Sequence, residues 1–157
     1  IGKRLGKLAK SLHMNIIGYD VVPIDDEFSK EVGLMKADLD TLLSSADYVS
    51  LHVPLLENTH HMINAEKLKL MKNTARIINT SRGGVIDEEA LYNSLKEGSL
   101  AGAALDVFEA EPAIGNRLIT LPNFVATPHM GAQTKEAQLL AANIIAEKII
   151  QVLRGVL

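Results

Sequence analysis

The 157-residue sequence predicts an α/β fold built on a doubly wound parallel sheet, with helices on both faces. Short apolar runs alternate with segments of helical periodicity along the whole chain, the pattern of repeated βαβ units. Several of those runs read continuously apolar rather than alternating, as strands covered on both faces do. Ionisable residues and glycines follow directly after the strands, at the carboxyl rim where open sheets of this kind bind ligands.

Ile1, Leu5, Leu8, Ala9 and Leu12 recur at helical spacing, so a helix runs from residue 1 to about 13, with His13 placed for a favourable helix-dipole interaction. Residues 15–20 read as a strand buried on both faces and closed by Asp20. A loop containing Pro and Asp leads to a helix over 38–46 with Asp38 as its N-cap. Residues 48–53 form a strand stopped by Pro54. The alternation continues with a helix over 64–71, a strand over 76–79, a helix over 87–97 ending near Gly98, and a strand over 101–107. A loop with Pro112, Gly115 and Pro122 precedes a short strand at 124–127, and a helix over 134–154 ends at Gly155 as a C-terminal cap. Met35, Met62 and Met71 are expected to fill the core. No linker, repeat or low-complexity stretch divides residues 1–157.

Composition narrows the chemistry. With 47% hydrophobic and 22% charged residues the chain suits a globular fold, and its length is enough to bury about 68–70% of the unfolded surface. Sixteen Lys and Arg against nineteen Asp and Glu give a net charge of −3, and no basic cluster exceeds the Lys3-Arg4 pair, so nucleic acid is not an expected partner. The sequence has no Cys, which removes disulfides, thiolate zinc sites and cysteine nucleophiles and suits a reducing cytoplasm. No run is long and apolar enough for a membrane span, and no secretory pattern is present. Chemistry therefore falls to His, carboxylates, Arg, hydroxyls or a bound cofactor. The chain begins inside the first helix, at Ile1, and is expected to be a piece of something longer.

Five groups follow the strands: Asp20; His52-Val53-Pro54; Thr80-Ser81-Arg82-Gly83-Gly84; Asp106 to Glu111; and Pro128-His129-Met130-Gly131-Ala132. Gly2 opens a helix, and eighteen residues later Asp20 ends the next strand. This spacing fits a phosphate-loop glycine and a ribose-binding acid, and equally a packing glycine and a loop aspartate. An acid there favours NAD over NADP. Arg82 offers a planar fork matched to a carboxylate, beside bare glycine backbone that lets a small anion approach; a solvated loop arginine is the plainer alternative. Glu111 and His129 are expected to meet across adjacent strand ends as a proton-transfer pair, although each alone also reads as an ordinary loop residue. His60 and His61 are adjacent and cannot form a spaced metal pair, and no metal site emerges.

Three motifs then resemble a known family. Residues 78–91, centred on Thr80-Ser81-Arg82-Gly83-Gly84, look like the arginine signature of the D-isomer-specific 2-hydroxyacid dehydrogenases. Residues 104–112 and 127–132 resemble the two motifs that follow it in family order. The resemblance spans essentially the whole chain and implies a Rossmann-like NAD-binding domain whose first strand and first two loop glycines are absent. A central strand missing from the order 3-2-1-4-5-6 is expected to leave a gap between its neighbours. The substrate-binding domain is expected to lie outside these residues.

Carried over by motif, the resemblance implies that Arg82 holds the substrate carboxylate. His129 is the acid/base and Glu111 keeps its imidazole protonatable. Asp106 lies near the nicotinamide, Asp20 takes the adenine ribose, and Gly2 ends the phosphate loop. His52, Val53, Pro54, Thr80, Ser81, Gly131 and Ala132 line the cofactor cleft, Thr80 and Gly131 through backbone groups. Leu56 stands where the family usually has a threonine, and Gln133 where a small hydroxyl residue is common. The implied reaction is NAD-dependent oxidation of a D-2-hydroxy acid, with 3-phosphoglycerate favoured as in serine biosynthesis, and glyoxylate, hydroxypyruvate or lactate as alternatives. The residues 1–157 alone are expected to turn over little substrate, and the full-length protein to be a homodimer or larger. An NAD-responsive protein-binding module is the rival from another class; retention of Arg82, Glu111 and His129 favours the enzyme.

Overall fold

The computed structural model describes residues 1–155. In chain order the elements are α1 (Gly2–Ser11), β1 (Ile17–Gly18), α2 (Asp26–Val32), β2 (Met35–Lys36), α3 (Leu39–Ser45), β3 (Tyr48–Leu51) and α4 (Ala65–Leu70). They continue with β4 (Arg76–Asn79), α5 (Glu88–Lys96), β5 (Gly102–Leu105), a short 3-10 helix (Arg117–Thr120), β6 (Phe124–Ala126) and α6 (Lys135–Leu153).

Local chemistry sets the boundaries. Asp25, Asp38, Asn64, Asp87 and Thr134 each accept a first-turn amide at the start of α2, α3, α4, α5 and α6. Gly33 and Gly155 leave α2 and α6 with φ of 68° and 67°, a region glycine enters without Cβ strain.

Strands β3, β4, β5 and β6 form one parallel sheet in sequence order. Its register aligns Leu51, Asn79, Leu105 and Ala126 in a single row. The next residue along each strand is His52, Thr80, Asp106 or Thr127, so the rim read from the sequence is one physical edge. Beneath it lie Leu43, Leu51, Ile63, Ile77, Leu91 and Leu100, all buried. Each such side chain contributes about 1.5–3 kcal/mol by leaving water.

Strands β1 and β2 pair separately and in parallel, and among the described residues no ladder joins β1 to β3. The break falls where the expected gap lies. It also corrects the reading of 15–20 as a strand buried on both faces: β1 has two residues, both half-buried, because it has a ladder on one side only.

Other differences have similar local causes. The loop after Asp20 contains α2 and β2, and the loop before Phe124 contains the 3-10 helix capped by Asn116. Met35 does not fill the core; it lies on the two-residue edge strand β2 and is 58% exposed, whereas Met71 is buried and Met62 packs on the core. Helix α6 buries none of its side chains. No helix among the described residues is long and apolar enough to cross a membrane.

Candidate active site at the sheet edge

Asp106 follows β5 and is buried, yet its carboxylate accepts three hydrogen bonds: from Thr127 Oγ1 (2.5 Å) and Met130 N (2.9 Å) on Oδ1, and from Gly131 N (3.0 Å) on Oδ2. Burial alone would push its pKa up; the three donors outweigh that and hold it below the usual aspartate value. Asp106 thus fixes the loop carrying His129, which adopts a φ of 49°, a region costly for a non-glycine residue and held here by the bonds on either side. The Gly131 amide is engaged by Asp106.

The predicted pair is formed. His129 Nδ1 lies 2.7 Å from Glu111 Oε2, and since an ionised carboxylate only accepts, Nδ1 is the donor. Nε2 has no protein partner among the described residues. The Glu111 carboxyl is held below its usual value, first by the hydrogen bond from His129 and then by the Phe108 amide, which donates to Oε1 at 3.1 Å. A cavity of about 410 Å³ opens beside the pair, lined by Phe108, Ile119, Ala126 and Thr127 as well as by both partners.

Arg82 is placed by a residue that sequence reasoning missed. Buried Asn79, at the end of β4, donates from Nδ2 to the Arg82 carbonyl (2.9 Å) and accepts from Ser81 N and Ser81 Oγ on Oδ1. The only available signal was an amide side chain at the last residue of an otherwise apolar strand. Arg82 is exposed and bonds its own neighbour, the Ser81 carbonyl, through Nη1 (2.6 Å), leaving the rest of the fork unengaged among the described residues. A Cβ on Gly83 would lie 1.9 Å from the Phe108 carbonyl oxygen. Its missing side chain lets the Arg82 loop press against the loop that carries Glu111.

At the other end of the edge, α1 begins without a side-chain cap or a first-turn acid, so its first amides are free to face an anion. A Cβ on Gly2 would lie 3.2 Å from His52 Cδ2, so this glycine allows α1 to approach the end of β3. His52 Nε2 lies 3.0 Å from Ser50 Oγ, and burial lowers its pKa. Asp20 is exposed and accepts Val22 N on Oδ1 at 3.0 Å, leaving Oδ2 open. Val53 packs on the core, and Pro54 accepts from Thr59 Oγ1, which also receives the Leu56 amide, so Thr59 caps this turn. Thr80 and Ala132 are exposed at the rim. The free helix amides, the open acid after β1 and the close approach at Gly2 fit a dinucleotide.

These features define an α/β domain with a hydrogen-bonded carboxylate–imidazole pair at its sheet edge. The family profile described as "D-isomer specific 2-hydroxyacid dehydrogenase, NAD binding domain" matches residues 1–131, and the chain belongs to that family. It is 51% identical over 156 residues to D-3-phosphoglycerate dehydrogenase of Methanocaldococcus jannaschii, covering 99% of this chain and 30% of the relative. Glyoxylate reductase of Thermococcus litoralis is 46% identical over 155 residues, covering 99% and 46%. The crystal structure of D-lactate dehydrogenase from Aquifex aeolicus complexed with NAD and lactic acid superimposes with a TM-score of 0.89 at 33% identity, covering 99% of this chain and 51% of that one. The chain therefore spans about a third to a half of these proteins.

Proposed function

We propose that residues 1–157 supply the NAD-binding part of an enzyme that oxidises a D-2-hydroxy acid to its 2-oxo acid, with the substrate-binding domain contributed by further chain. The carrying observation is the His129–Glu111 pair at 2.7 Å, set in a loop against which Gly83 presses the Arg82 loop. Asp20, Gly2, His52, Val53 and Pro54 would hold the adenosine and pyrophosphate end of NAD, and Thr80, Ser81, Asp106, Gly131 and Ala132 the nicotinamide end. When bound, the oxidised nicotinamide supplies a hydride acceptor. Arg82 binds the substrate carboxylate through its unengaged donors and orients the carbon bearing the hydroxyl. His129 Nε2 accepts the hydroxyl proton as the C–H bond breaks, and Glu111 at Nδ1 stabilises the imidazolium that forms. In the reductive direction the same proton returns to the carbonyl oxygen.

We propose 3-phosphoglycerate as the substrate, oxidised to 3-phosphohydroxypyruvate as in serine biosynthesis, in the cytoplasm and in a homodimer or larger assembly. The relative at 51% identity supports the substrate, and the exposed aliphatic face of α6 supports association. The test is nicotinamide absorbance with the full-length protein on 3-phosphoglycerate, glyoxylate, hydroxypyruvate and lactate. Highest kcat/KM on 3-phosphoglycerate is expected; preference for glyoxylate or hydroxypyruvate overturns the substrate, and inertness on all four overturns the reaction.

A further inference from the structure

His61 lies outside the site described above, yet it touches both of the loops that build it. Its backbone N–H donates to the Gly84 carbonyl at 2.7 Å, on the loop of Arg82. Its Nε2 lies 3.0 Å from Glu109 Oε1, two residues before Glu111. His61 adopts a φ of 48°, and His60 stacks on its ring with centroids 3.9 Å apart.

Glu109 is itself clamped to the start of α5. Its amide donates to Glu88 Oε1 at 2.6 Å, and Glu109 Oε1 accepts the Glu88 amide at 3.2 Å. Asn116 Nδ2 donates to Glu88 Oε2 at 2.6 Å. Two carboxylates held this close repel each other, and hydrogen-bond donors offset that repulsion. The amino end of α5 supplies some of these donors, and His61 Nε2 supplies another to Glu109 Oε1. The contact is half-exposed, so its main effect is on geometry.

We propose that His61 is a positioning residue for the reaction put forward above, holding the Arg82 loop through Gly84 and the Glu111 loop through Glu109 at one fixed spacing. Removing it releases the repulsion between Glu88 and Glu109, the clamp opens, and Glu111 loses its set orientation towards His129.

The inference rests on the proposed reaction for its meaning, and its test does not depend on turnover. Carboxyl NMR of the full-length protein follows the titration of Glu111 in the wild type, His61→Asn and His61→Gln. Asn tolerates the positive φ but is too short to reach Glu109; Gln restores the reach. In His61→Asn the Glu111 acid constant is expected to fall about threefold, as the carboxyl loses its partner and moves towards its ordinary value, and His61→Gln to restore it. Glu109→Gln, which keeps the amide clamp and removes one charge, is expected to leave Glu111 unchanged and to abolish the effect of a second His61→Asn change. An unaltered Glu111 titration in a folded His61→Asn chain overturns the proposal, as does an effect of His61→Asn that persists in full with Glu109→Gln. A wild-type enzyme inert on every 2-hydroxy acid counts against the reaction alone.

Discussion

Gly83 and Phe108 are packed so closely that a single methyl group on Gly83 would sit 1.9 Å from the Phe108 carbonyl oxygen. The backbone of the Arg82 loop therefore touches that of the loop carrying Glu111. Gly83→Ala is expected to force the loops apart and to destabilise the fold by about 1–3 kcal/mol in urea unfolding. Gly98→Ala meets nothing within 4 Å and carries only the strain of its 72° φ, so a loss of about 1 kcal/mol is expected. Equal losses for the two would show that the Phe108 contact has no special weight.

Asp106 holds the His129 loop through three donors, and Asp106→Asn turns one acceptor into a donor facing a donor. The buried mismatch is expected to cost about 1–3 kcal/mol. Hydrogen exchange at the Met130 and Gly131 amides provides the local check: both are expected to exchange faster than in the wild type, and unchanged protection would remove Asp106 from this role.

Acid sensitivity follows from the directions of the carboxyl shifts. Asp106 and Glu111 both have folded pKa values depressed below 3.8 and 4.5. A depressed folded pKa gives stability that is complete above the unfolded value and is lost as pH falls through the folded one. The chain is therefore expected to lose stability below about pH 4.5. Glu111→Gln should flatten the upper part of that limb, and Asp106→Asn the part below it. Superimposable stability curves for Glu111→Gln and wild type would show that the His129 bond is worth nothing in the folded state.

For the proposed reaction, His129→Gln in the full-length enzyme is expected to lower kcat by about 10²–10⁴-fold with little change in KM. Arg82→Lys keeps the charge and loses the fork, so KM should rise and kcat should also fall. Near-normal kcat in His129→Gln would eliminate the imidazole as the proton acceptor.

Most of the candidate site residues are legible because they fall in motifs that follow a strand, and the parallel register turns "after a strand" into one edge; Gly2, which opens α1, is not among them. Glu111 and His129 could be paired from sequence for that reason alone. Asn79 was not legible, because its bond to the Arg82 carbonyl depends on a turn whose shape only the fold supplies. Helix α2 escaped notice because seven residues rich in Asp and Glu resemble a polar loop; Asp25 as N-cap and Gly33 as terminator were the available signal. Met35 was misplaced since hydrophobicity does not distinguish a central strand from an edge. The role of His61 was hidden because adjacency to His60 argues only about metals, while its partner Glu109 is 48 residues away.

Helix α6 has nineteen residues and buries no side chain, so little tertiary packing adds to its helix–coil equilibrium. Its persistence rests on the Thr134 cap, backbone bonds and intrinsic propensity, which for a segment of this length in water are marginal. In the 157-residue chain its amides should therefore open by local fraying at a free energy far below that of β4, and this last helix would melt before the sheet does.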